Sequence, residues 1–193
     1  MAKQEFPFNP RPPISPQGNS SDDEVHLAVG RALSAWEYAE DSFANIFRRL
    51  VAPGKSGYAA RRAYGNVIAA LTRDSLIKET AKIFFRNFPD EEIKNELDSL
   101  LKIYCHAGAR RNEIAHGMVM GGPDRKHKGR YLTASVWTSR KRDIHLMPSY
   151  FYTAEQIDEF RKGFYRLAGQ AGAIADQLER AYYKSPKKSR EAY

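Results

Sequence analysis

The chain has 193 residues, 42% of them apolar, with 31 Lys and Arg against 23 Asp and Glu for a formal charge of +8. That is apolar residue enough for one ordinary core with tails to spare, and the positive balance favours RNA, DNA or another phosphate-bearing partner. The single cysteine, Cys105, excludes an internal disulfide and a cysteine-rich zinc site. No apolar window suits a bilayer span and the start has no secretory pattern, so a cytoplasmic protein without a membrane partner is expected.

Residues 1–21 carry Pro7, Pro10, Pro12, Pro13 and Pro16 among small polar residues, a composition that predicts a disordered arm. Phe6, Phe8 and Ile14 leave open a second reading, a strap over a groove or a partner subunit. Ser20 or Ser21 can cap a first helix whose opening turn holds Asp22, Asp23 and Glu24, acids that suit a helix N-terminus. Val25, Val29, Ala32, Leu33, Trp36, Phe43, Phe47 and Leu50 recur at helical spacing as its buried stripe. Pro53-Gly54 should stop it after Val51. Glu37, Glu40 and Asp41 flank the stripe as candidate partners for a buried cation.

A second helix is predicted from about 59 to 87, with Tyr64, Val67, Ile68, Leu71, Leu76, Ala81, Ile83 and Phe84 apolar and a basic side at Arg61, Arg62, Arg73, Lys78 and Lys82. Pro89 and the acids after it open a third. On it Ile93, Leu97, Leu100, Tyr104, Gly108, Arg111 and Ala115 share one line, which puts Arg111 in the buried stripe. Gly117 is expected to close that helix in a left-handed turn.

Beyond it, the stretches 118–120, 131–138 and 144–152 are strand-like and predict two or three short antiparallel strands. Their connections are basic: Arg125, Lys126, Lys128 and Arg130 in one, Arg140, Lys141 and Arg142 in the other. Charge there serves either solubility or contact with nucleic-acid phosphates. Thr153 with Gln156 forms a capping box for a last helix reaching Tyr183, and 184–193 is a basic tail. The expected fold is mainly α: an up-down bundle of about four long helices over residues 22–183, as one domain, with a small β insertion at about 118–152 before the last helix.

The chemistry concentrates in Arg111-Asn112-Glu113-Ile114-Ala115-His116. A buried arginine needs a carboxylate or phosphate, because an unpaired guanidinium in apolar surroundings is very costly. At about 100° per residue, Arg111 and His116 point roughly 140° apart. To make one site the arginine must curl round, the helix must loosen, or two subunits must share the site. His106 and His116 do not share a face and Cys105 lacks co-ligands, so neither a metal nor a cofactor is expected.

This hexapeptide resembles the R-x(4–6)-H motif of the HEPN superfamily, in its form with asparagine after the arginine, and the helical order around it is similar to that superfamily's bundle. The resemblance implies a homodimer with the motif lining an interface cleft, and a metal-independent endoribonuclease of toxin or phage-defence type. His116 would handle the proton of a ribose 2′-hydroxyl or of the leaving 5′-oxygen, Arg111 the scissile phosphate, and Asn112 the orientation of either. Arg110 lies within the permitted spacing and could substitute. The alternative is a non-catalytic module that dimerises, binds RNA, or joins an antitoxin or nucleotidyltransferase partner.

Overall fold

The computed structural model describes residues 6–67, 70–135 and 148–186, the side chains of 70 and 71 excepted. The protein is mainly helical, a bundle with a small antiparallel sheet inserted before the last helix. The helices are α1 (Asp22–Val51), α2 (Tyr58–Gly65), α3 (Ala70–Asn87), α4 (Glu91–His116) and α5 (Ala154–Lys184), and the strands are β1 (Gly117–Gly121), β2 (Arg130–Ala134) and β3 (Phe151–Tyr152). The basic residues Arg140, Lys141 and Arg142 in the predicted connection, the predicted strand residues 136–138 and 144–147, and the tail from 187 lie outside the described residues.

Local signals set most helix ends. The Glu24 N–H donates to Ser21 Oγ at 3.4 Å, while Ser20 and Asn19 both donate to the Glu24 carboxylate. Asp90 Oδ1 accepts the Ile93 N–H at 3.1 Å at the start of α4. The Thr153 N–H donates to Gln156 Oε1 at 3.0 Å and the Gln156 N–H donates back to Thr153 Oγ1 at 3.3 Å, the reciprocal pair a capping box requires. The predicted second helix is in fact two. After Gly65 the Asn66 N–H turns back onto the Arg62 and Ala63 carbonyls, and the Val67 carbonyl is taken by Arg73 Nε at 2.6 Å. A side chain thus satisfies a backbone acceptor that a continuous helix would have used itself.

The contacts fall into two compact units, Met1–Glu37 with His106–Tyr165, and Tyr38–Cys105 with Arg166–Tyr193. In the second, Phe43, Ile46, Leu50, Tyr64, Ile77, Phe84, Leu101, Tyr104, Leu167 and Leu178 are buried. Glu40, also buried, receives a hydrogen bond from Tyr104 at 3.0 Å and an ion pair from Arg73. Burial pushes the Tyr64 and Tyr104 phenols well above their ordinary range, and the Glu40 carboxylate pushes the same way.

In the first unit the sheet order is β1-β2-β3, all antiparallel, with Gly117 opposite Ala134 and Leu132 opposite Tyr152. Val25, Ala32, Trp36, Ile114, Tyr131, Phe160 and Phe164 are buried with it. The arm departs from its expected disorder. Phe8 is 1% exposed and its ring lies 5.2 Å from Phe164 and 6.3 Å from Phe160. Gly163 makes the room, since a Cβ there would stand 2.7 Å from the Phe8 ring. Farther along, Gln156 Nε2 donates to the Pro13 carbonyl at 2.8 Å, Tyr131 Oη to the Ser15 carbonyl at 2.9 Å, and Asn19 exchanges backbone hydrogen bonds with Arg130. One buried aromatic and these satisfied carbonyls hold a stretch whose composition alone offers no fold.

Candidate functional site at the end of α4

The buried arginine is Arg110, not Arg111. Arg110 is 9% exposed, while Arg111 is half-buried and Asn112 and His116 are exposed. Through Tyr104 the buried positions of α4 are Ile93, Leu97, Leu100, Leu101 and Tyr104; from there they become Ala107, Gly108, Arg110 and Ile114. Arg110 is about 100° round the helix from Arg111. The buried face therefore turns along the helix, and its neighbours change. At the C-terminal end they are tyrosines of the sheet region: Tyr150 Oη donates to the Glu113 carbonyl at 3.0 Å and Tyr152 Oη to the Glu113 carboxylate at 2.6 Å.

Glu113 is the carboxylate that the buried cation needs. Its Oε2 lies 3.2 Å from Arg110 Nη1 and accepts the Tyr152 hydroxyl, which itself accepts from Arg110 Nη1 at 3.1 Å. Its Oε1 accepts from Arg11 of the arm, Nη2 at 2.6 Å and Nε at 3.1 Å. Two cations and a phenol on one nearly buried carboxylate satisfy both of its oxygens. Burial first, and then the Glu113 carboxylate, push the Tyr152 hydroxyl far above its ordinary range, so it stays a donor. The hydrogen bond to Glu113 likewise raises the Arg11 guanidinium.

The first-helix acids take other partners. Glu40 holds Arg73, Asp41 pairs with Arg61, and Glu37 is exposed. The expectation that they answer the motif's arginine is corrected, because Glu113 lies one helical turn from Arg110 and reaches it first.

That leaves Arg111, Asn112 and His116 on the surface of the last turns. Arg111 Nη1 donates to Asn112 Oδ1 at 3.2 Å, and Arg111 Nε is buried without a hydrogen-bond partner among the described residues. No hydrogen bond joins His116 to either within the chain's described residues. Gly117 does not adopt the expected left-handed turn. It is absent from the positive-φ glycines and is already the first residue of β1. Close approach is what requires it: a Cβ would stand 2.7 Å from Leu132 Cγ and 2.9 Å from the Glu113 carbonyl oxygen.

In the connection between β1 and β2, Arg125, Lys126 and Lys128 are exposed. Arg130 is committed elsewhere, paired with Asp22, where its Nη2 lies 2.9 Å from Oδ2 and holds that carboxyl below its ordinary value. Asp124 accepts the Lys126 and His127 N–H groups and shapes the turn. Among the described residues no group of His, Cys, Asp and Glu is placed to hold a metal ion, and no helix is long and apolar enough to cross a membrane.

No family model, curated protein or solved structure matches the chain. The residues that sequence reasoning misses are Glu113, Tyr150, Tyr152 and Arg11. Glu113 three positions after Arg110 was a visible i,i+3 pairing signal. Arg11 carried none, since it meets Glu113 across 102 positions of chain.

Proposed function

We propose that the chain is a HEPN-like homodimeric endoribonuclease whose reacting groups are Arg111, Asn112 and His116. The observation that supports this is the division of labour between neighbouring arginines. Arg110 carries the structural pairing, so the guanidinium of Arg111 has Asn112 as its only hydrogen-bond partner among the described residues.

In this reading the ribose 2′-oxygen attacks phosphorus as the bond to the 5′-oxygen breaks. The 2′-hydroxyl proton passes to an imidazole, and a proton is returned to the leaving oxygen. His116 has the right chemistry for either transfer, because an imidazole nitrogen can both accept and donate a proton. Arg111 offers its planar fork to the phosphate oxygens as charge builds on them. One chain supplies these groups on divergent faces, so a second copy completes the site. Arg125, Lys126 and Lys128 would steer RNA toward it, with Arg140, Lys141 and Arg142 expected to act likewise. The setting proposed is cytoplasmic toxin or phage-defence biology, with an antitoxin or nucleotidyltransferase-type partner.

The test is cleavage of single-stranded and structured RNA in EDTA, with sizing of the same preparations. Cleavage by the wild type, lost in His116→Ala and in a folded Arg111→Ala, supports the reading. Wild-type protein that binds RNA in a salt-dependent way yet cleaves no better than His116→Ala replaces it with a non-catalytic RNA-binding module.

A further inference from the structure

Among the described residues, the arm's Arg11 is the one charged side chain from outside α4 that reaches into the motif hexapeptide, and the chain on both sides of it is anchored. Phe8 is buried against Phe160 and Phe164, and the Pro13 carbonyl accepts from Gln156 Nε2. Arg11 is therefore presented by a short segment fixed at both ends. It makes two contacts with Glu113 Oε1 while the opposite oxygen is occupied by Tyr152 and Arg110. The Glu113 backbone is held separately, through its carbonyl, by the Tyr150 hydroxyl.

Glu113 stands between Asn112 and His116 in the hexapeptide, on the last one and a half turns or so of α4, which carry all three reacting groups. Helix ends fray because their last carbonyls lack intrahelical partners and their amides open easily. A frayed turn would scatter Arg111 and His116 by more than catalytic geometry tolerates. We propose that Arg11 is a positioning residue: through Glu113 the arm locks the last turn of α4 and so fixes the directions of Arg111, Asn112 and His116.

This rests on the nuclease reading for its purpose but not for its physical content. An exposed ion pair of two long side chains is weak because both lose freedom on pairing. Here much of that loss is already met, since Phe8 and Pro13 fix the arm and Tyr152 and Arg110 fix the carboxylate. The arm is thus part of the site and not a leader trailing from it.

Amide hydrogen exchange on the full chain, comparing wild type, Arg11→Ala and Arg11→Lys, tests the lock directly. Arg11→Ala is expected to speed exchange of the amides from Arg111 to His116 about five- to tenfold, leaving mid-α4 amides unchanged, with Arg11→Lys in between. Unchanged exchange in that turn overturns the proposal whether or not the protein cleaves RNA. If it does cleave, Arg11→Ala should lower kcat with little change in KM, as expected when geometry is lost. A raised KM with kcat intact would instead make Arg11 a phosphate contact and would also overturn the proposal. Wild type that fails to cleave while Arg11→Ala still loosens the turn overturns the nuclease reading alone.

Discussion

Substituting Gly117 by alanine tests whether the junction between α4 and β1 is set by close packing. The new Cβ would stand 2.7 Å from Leu132 Cγ, 2.9 Å from Leu132 Cδ1 and 2.9 Å from the Glu113 carbonyl oxygen. Neither neighbour yields easily. Leu132 is 2% exposed in the middle strand, and the Glu113 oxygen belongs to the backbone and accepts the Tyr150 hydroxyl. Overpacking of this kind costs about 1–3 kcal/mol. Against it stands a gain of about 0.5–1 kcal/mol from restricting the unfolded chain. Taking the middle of each range, the net loss of about 1.3 kcal/mol should lower Tm by about 2.5–5 °C in a chain of this size. Gly30 is the matched control: it lies within α1 with nothing within 4 Å of its added Cβ. Gly30→Ala should gain about 0.5–1 kcal/mol and raise Tm by about 1–4 °C. Both are read by calorimetry or thermal circular dichroism. Gly117→Ala melting at or above wild type would refute the packing argument. If Gly30→Ala also falls, the comparison itself fails.

Two further outcomes follow from the same geometry. In urea denaturation Arg110→Ala should lose about 2–4 kcal/mol, because it removes a partner from a nearly buried carboxylate, whereas Arg111→Ala should stay within about 0.5 kcal/mol of wild type; the reverse order would mean that the structural arginine is misassigned. On acidification, Asp22, held down by its hydrogen bonds with Arg130, Glu24, held down by Ser20 and Asn19, and Asp158, held down by Arg161, all have folded pKa values below their ordinary 3.8 and 4.5. The unfolded chain then binds more protons in that window, so their stabilisation is complete above the ordinary values and is lost as pH falls through the lowered ones. Thermal melts in an acid series should decline below about pH 4.5, more shallowly for Asp22→Asn, and identical slopes for the two proteins would rule out the Asp22 contribution.

The sequence by itself determined what depends on neighbours along the chain. The bounds of α1, the reciprocal cap at Thr153 and Gln156, the acid-opened start of α4 and the helical class all follow from periodicity and hydrogen bonding within a few residues. Three expectations failed where the deciding partner is distant or the burying face changes. The stripe of α4 runs in a straight line to Arg111 by periodicity, but Tyr152 of β3 meets the helix on another face, and burial falls on Arg110. The proline-rich arm gives no local reason to be ordered, yet Phe8 finds a notch that Gly163 opens 155 positions away in numbering, as 163 minus 8. The position of Gly117 after a helix points to a left-handed turn, whereas Leu132 of the adjoining β2, with the Glu113 carbonyl, is what excludes a side chain there. Capping and periodicity are properties of segments. Which face is buried, which carboxylate meets which arginine, and whether an arm docks depend on surfaces that exist only once distant segments have met.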